Sequence, residues 1–302
     1  MHTRILSQIR QVVAHLNPHD IERAASRAFR CRVWAANQSQ FDEVCRFLIP
    51  ADCSPRRREY ALQRIVWAAH VPDEPVEIEI VHRDFQGPAG AAVFDPEEPE
   101  ALVQEVLKER ESLGLALARW FPPFRIPVTD RIIFTIAKEN ALFVLITALP
   151  DLVPSVFHLP WAVTEFASDT VFLTVNQIRM LFMLAAASDR PVGYRPQRAE
   201  IASVIAGAFG WRALARELVG KIPFGAGLVP KAAVAFAGTY VVGRSAERWY
   251  RVGYRLTREE RDRVFREALE RGKSFARNWL GVLQADREAT HGSTAGSISD
   301  RS

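Results

Sequence analysis

Gly272, Lys273 and Ser274 form "RGKS", the residue types that end a phosphate-binding loop. Such a loop needs a strand before it, an upstream glycine five residues earlier, and backbone amides free to hold phosphate. The upstream position here is Glu267, inside a strong helical pattern, so the match reads as a decoy. The run "KIPFGAGLVPK" offers Gly225 and Gly227, but a helical pattern and a proline precede them and Lys231 lies too far on. The natural place for the loop is after the first predicted strand, where the chain reads "AANQSQFDEV", without glycine or lysine. "DFQG" (84–87) follows a second predicted strand, as D-x-x-G does in nucleotide-hydrolysing domains; a turn closed by Gly87 explains it equally well.

Other chemistry is equally thin. The sequence has no G-x-S-x-G, no H-E-x-x-H and no G-x-G-x-x-G after a strand. His15 and His19 are four apart, but Pro18 between them breaks the helix that would pair them. No catalytic residue, metal site or cofactor is expected. Asp95, Glu97, Glu98 and Glu100 read as a solvated helix start. Cys31, Cys45 and Cys53 are odd in number and form no C-x-x-C, which points to reduced thiols. With 48% hydrophobic residues among 302, the chain has material for two modest domains, and full disorder is excluded. A formal charge of +4 argues only weakly for an anionic partner. "MHTRILSQIRQVVAHL" is broken by Arg4, Gln8 and Arg10 and does not read as a secretory signal.

The periodicity predicts an α+β chain: a small N-terminal α/β unit, nucleotide-binding-like but degenerate, followed by an all-helical domain. A helix over 3–16, stopped near Pro18, falls in an N-terminal segment 1–26. The α/β unit spans 27–120. It has strands at 29–37, 76–82 and 90–95, and helices at 39–49, 55–70 and 96–120. "FPPFRIP" (121–127) reads as a proline-rich linker. Residues 128–284 read as helices with apolar hairpins, among them an amphipathic helix over 210–221. Residues 285–302 read as a disordered tail.

Three apolar segments, 141–163, 171–188 and 222–243, raise the question of a membrane. Residues 222–243 hold eight Leu, Ile, Phe or Val, an insertion gain of ~3.5 kcal/mol that Lys231 alone roughly cancels. None of the three is a free-standing span. Asn176, Gln177, Arg179 and Lys231 are expected as buried polar groups that fix helix packing through hydrogen bonds, since unpaired they would be too costly. Arg244, Arg248, Arg251 and Arg255, spaced 4, 3 and 4, would share one stripe of a helix flanked by Trp249, Tyr250 and Tyr254. That stripe suits an anionic lipid surface or a partner protein, and equally the solvated face of a bundle helix. It is short and balanced by Glu259 and Glu260, so nucleic acid is not expected. Thr257 and Glu260 have capping-box spacing.

"TVNQIRMLFMLAAASDRPVGY" and "GAFGWRALARELVGKIPFGAGLVPKAAVAFAGTYVVGRSAERWY" resemble the bacterial family of unknown function numbered 697, which includes YcjF-like inner-membrane proteins. The resemblance covers roughly 128–256. Its strongest parts are the Asn-Gln-x-Arg run at 176–179 and the Pro/Gly hairpin from Ile222 to Gly243. It implies a helical, membrane-linked module that often follows a GTPase domain. The α/β unit here sits where that domain would be, without its phosphate loop and without Asn-Lys-x-Asp. The expectation is a non-catalytic adaptor or scaffold at the cytoplasmic face of a bacterial inner membrane. Its α/β unit would bind a partner protein, a GTPase being one candidate. The alternatives are a nucleotide-dependent enzyme with an atypical phosphate site and a wholly soluble, cytoplasmic helical scaffold.

Overall fold

The structure, a computed structural model, describes residues 16–70, 75–148, 169–207 and 227–295. The expected helices at 3–16 and 210–221, and most of the apolar segment 141–163, lie outside these residues. The fold is α+β, a small parallel sheet in the N-terminal part followed by helices. Two compact units divide the chain. One takes residues 17–132 and 182–197, the other 133–181 and 198 onward.

The first unit opens with α1 (Pro18–Ala25). Pro18 sits in the first turn of this helix, where a proline lacks only an N–H that would be unpaired anyway; Asn17 caps it. The strands are β1 (Cys31–Trp34), β2 (Ile65–Trp67), β3 (Ile78–His82) and β4 (Ala92–Phe94), all parallel in the order β2-β1-β3-β4. The register places Cys31, Val33, Ile65, Ile78, Ile80, Ala92 and Phe94 on one buried face. Helix α2 (Gln38–Leu48) buries Val44 and Leu48, and its Phe47 ring lies 5.6 Å from that of Phe94.

Strand β2 corrects the expectation of one helix over 55–70. Helix α3 covers only Pro55–Leu62, and "IVW" is β-branched and aromatic, better suited to a pleat than to a helix. The helix expected over 96–120 is also divided: α4 (Pro99–Glu109), a 3-10 turn Glu111–Leu113, then α5 (Gly114–Trp120). The break sits at Arg110, whose extended φ of −121° leaves the helix.

The proline run is no linker. Pro122–Phe124 is a 3-10 turn leading directly into α6 (Arg125–Ala148). Phe121 and Phe124 are fully buried and their ring centroids stand 6.3 Å apart, so this stretch is core. The unit boundary falls at 132/133 instead. In the other stretch of this unit, Asp189 has a left-handed φ of 56°. Its carboxylate is gripped by Arg57 at 2.9 Å and Arg119 at 3.3 Å. Arg57 also donates to the carbonyl of Arg119.

In the second unit, α6 and α7 (Asp169–Ala187) contribute their residues 133–148 and 169–181, and residues 198–207 are helical. Helix α8 (Leu228–Val252) is one continuous helix across the described part of the expected hairpin 222–243. Pro230 falls in its first turn, where it is tolerated. Its Gly243 serves close packing: a Cβ there would come 2.8 Å from Ile133 Cγ1 and 3.0 Å from Met180 Sδ. Helix α9 runs Arg258–Ala295, so residues 285–295 of the expected tail are helical. Gly272 of "RGKS" lies inside it. A Cβ there would meet the Ala233 Cα at 2.9 Å, so this glycine lets α9 press against the backbone of α8. Phe236 and Ala237 fill the core between them with Ala268 and Ala276.

Candidate functional site

In a parallel sheet of this order, the crevice for a ligand lies at the carboxyl ends of β1 and β3, where the connections diverge to opposite sides. A phosphate there would be held by the free amides at the start of the following helix. In this chain one of those amides, that of Gln40, is already held by a side chain. The Asn37 side chain accepts from the Gln40 N–H at 3.1 Å, and the Gln40 side chain reaches back to the Ala36 N–H at 2.8 Å. Asn37 thus caps the helix, while Gln40 turns back to the residue before the cap rather than to the cap itself. Trp67 covers the loop, its indole donating to the Ala35 carbonyl at 3.2 Å and stacking on Phe41 at 5.5 Å.

His82 ends β3 and is 2% exposed. Its Nδ1 accepts from the Asp84 N–H at 3.3 Å, which leaves the proton on Nε2 to face Glu43 at 3.3 Å. A His–carboxylate pair can act in catalysis, but a ring so covered cannot reach a substrate. Here it ties α2 to the end of β3. Gly87 of "DFQG" is explained by packing: a Cβ would lie 2.8 Å from Val81 Cγ2. Arg83 binds Asp95 at 2.7 Å and Glu97 at 3.0 Å, and the Glu97 and Asp95 carboxylates hold its guanidinium above the ordinary value. Asp95 and Glu97 thus serve an ion pair rather than a purely solvated helix start. No group of three or more His, Cys, Asp or Glu suited to a metal occurs among the described residues; His15 lies outside them.

The second unit brings three of the expected polar residues together. Asn176 is fully buried and donates to Asn140 at 2.9 Å and Glu139 at 3.0 Å. Arg179 donates to Asn176 at 3.1 Å and Glu139 at 3.2 Å. Gln177 donates to the Thr239 hydroxyl at 3.1 Å, and Asn140 donates to the same oxygen at 2.8 Å. The network joins α6, α7 and α8. Lys231 is half-buried in the first turn of α8 and takes no part in these bonds. Sequence reasoning missed Glu139, Asn140 and Thr239. A Glu-Asn pair in an otherwise apolar helix was the available signal; a lone threonine among small residues gave none.

The four arginines do not form one stripe. Gly253 adopts φ 84° and ends α8, so Arg255 lies beyond the helix, its guanidinium 5.9 Å from the Trp249 ring. Arg248 pairs with Glu260 at 2.6 Å and Arg251 with Glu247 at 2.7 Å. Arg244 is half-buried. Thr257 and Glu260 bond reciprocally at 2.8 and 3.2 Å, and these bonds, with Arg248, hold the Glu260 carboxyl below its ordinary range. Burial pushes the Cys31 thiol up strongly; burial and Asp42 push the Cys45 thiol up to about 12. Neither is a nucleophile near neutral pH.

Among the described residues one helical segment, Thr170–Ala187, is long and apolar enough to cross a membrane, and 83% of it is buried by protein. Compared with family models, curated proteins and solved structures, the chain matches none.

Proposed function

We propose that this chain is a non-catalytic adaptor, in which the α/β unit binds a partner protein and the helical unit meets the cytoplasmic face of a bacterial membrane. The observation that carries the non-catalytic reading is the self-capped start of α2. Asn37 holds the Gln40 amide, one of those a nucleotide's phosphates would need, and the turn before the helix, Ala35-Ala36-Asn37, offers neither glycine nor lysine. His82, the one histidine at that end of β3, is covered. The membrane half rests on the resemblance over 128–256 to the family numbered 697, and a GTPase is the partner class that kinship favours.

Two measurements test the reading. Calorimetry with GTP and ATP in the presence of magnesium should give no triphosphate binding and no turnover; micromolar binding or hydrolysis of either would replace the adaptor with an enzyme. Fractionation of expressed protein should find part of it with membranes. A second reading, a helical scaffold that lies entirely against protein, is favoured by the burial of Thr170–Ala187. Recovery wholly in the detergent-free supernatant would select it.

A further inference from the structure

At the opposite end of the sheet from the crevice beside Asn37 and Gln40, before the amino ends of β1, β2 and β3, the first unit holds a cavity of 370 Å³ lined by Phe29, Arg30, Tyr60, Gln63, Arg64 and Glu77, among others. Its volume falls in the range of small-molecule sites. Arg64 forms one wall. Its guanidinium lies over Trp120 at 4.3 Å and over Phe29 at 5.3 Å. Its Nε is buried and bonds to nothing, and so is the neighbouring Trp120 Nε1. Burial holds the guanidinium below its ordinary value, Cys31 opposing and Arg119 adding to the effect. The Glu77 carboxylate in the same cavity is engaged by the Arg30 backbone N–H at 2.7 Å.

A cation partly withdrawn from water and without an ion-pair partner is costly to keep. Two other partly buried arginines of this unit, Arg57 and Arg119, have Asp189 and Glu22, whereas Arg125, like Arg64, forms no ion pair among the described residues but does not line this cavity. Guanidinium is also the group best shaped to take a planar or tetrahedral oxyanion with two donors. Tyr60, 46% exposed at the rim, offers a face for a flat body, and the Arg56 guanidinium, 5.9 Å from its ring, adds positive field.

We propose that this cavity binds a small organic anion, an oxyanion head on Arg64 and a flat ring against Tyr60. The site lies at the amino ends of the strands, so it is independent of the crevice beside Asn37 and Gln40.

Calorimetry on the full chain with phenyl phosphate, benzoate and inorganic phosphate tests the site, with benzyl alcohol as the uncharged control. Expected is binding of phenyl phosphate or benzoate, weaker binding of inorganic phosphate and none of benzyl alcohol. Arg64→Met, which keeps an apolar stem on the two rings, should lower the affinity about tenfold or more. Tyr60→Ala, at a half-exposed position, should lower it about threefold. Should Arg64→Met not fold, Tyr60→Ala decides alone. Absence of binding by all three anions, or affinity unchanged in the variant that folds, overturns the proposal. So does equal binding of benzyl alcohol.

Discussion

Replacing Thr239 with valine removes one oxygen and almost no volume, and the structure says why it should be expensive. That oxygen accepts from Asn140 at 2.8 Å and from Gln177 at 3.1 Å. Thr239 and Asn140 are 0% exposed and Gln177 6%, so water cannot take its place. Each buried donor left unpaired costs roughly 1–3 kcal/mol. Two such donors, each retaining some freedom to turn, give about 3 kcal/mol for Thr239→Val. The triple variant Asn140→Leu, Gln177→Leu, Thr239→Val removes donors and acceptor together and should recover most of that loss. It leaves Asn176 its bond to Glu139. Urea denaturation followed by far-UV circular dichroism reads both, with the transition of the helical unit fitted separately because two units need not unfold together. A loss under ~0.5 kcal/mol in Thr239→Val, below the cost of one unpaired donor, would refute the reasoning. So would a triple variant as unstable as the single one.

Gly272→Leu should lower the melting temperature by a ΔΔG of about 1–3 kcal/mol, because its Cβ meets the backbone of α8 at 2.9 Å; calorimetric melting checks it, and an unchanged midpoint would mean α8 and α9 are not in this contact. The Glu260 carboxyl titrates below its unfolded value, so its stabilisation is present above that value and fades as pH falls through the lowered folded one. Glu260→Gln should flatten the stability–pH curve there, read as melting temperature between pH 6 and about 3. Cys31 and Cys45 should resist alkylation at neutral pH and react once urea unfolds the chain, as counted by mass spectrometry.

What the sequence made legible was whatever a single element decides. The alternation in "VEIEIVH" gave β3, and Thr257 with Glu260 gave the cap of α9. What it hid depended on neighbours. Three residues of β2 are too few to show a period, and only pairing with β1 makes them a strand. The glycines of α8 looked like turn signals, yet Gly243 is there for the side chains of Ile133 and Met180. The arginine stripe failed differently: a spacing of 4, 3, 4 means one face only while the helix lasts, and Gly253 stops it before Arg255. For the polar network the sequence supplied donors on α7 but not their acceptors, Glu139 and Asn140 on α6 and Thr239 on α8. Polarity in an apolar run shows that a partner is needed; only tertiary structure says which.

The same network bears on how the helical unit could meet a membrane. Pulling α7 alone into hydrocarbon would strip Asn176 and Gln177 of Asn140, Glu139 and Thr239, and polar groups in lipid must be paired within protein. Whatever lipid contact the unit makes must therefore leave α6, α7 and α8 together, which favours surface attachment over insertion of one helix. The attraction available at the surface is limited as well. A basic residue near an anionic leaflet is worth about 1 kcal/mol, but Arg248 and Arg251 already face Glu260 and Glu247. Binding to vesicles containing anionic lipid should consequently be weak and reversed by ~0.5 M salt, where screening shortens to a few ångström. Vesicle flotation before and after the salt wash measures it. Protein that stays bound until detergent is added would show a helix inserted, and with it that the network does not hold the three helices together.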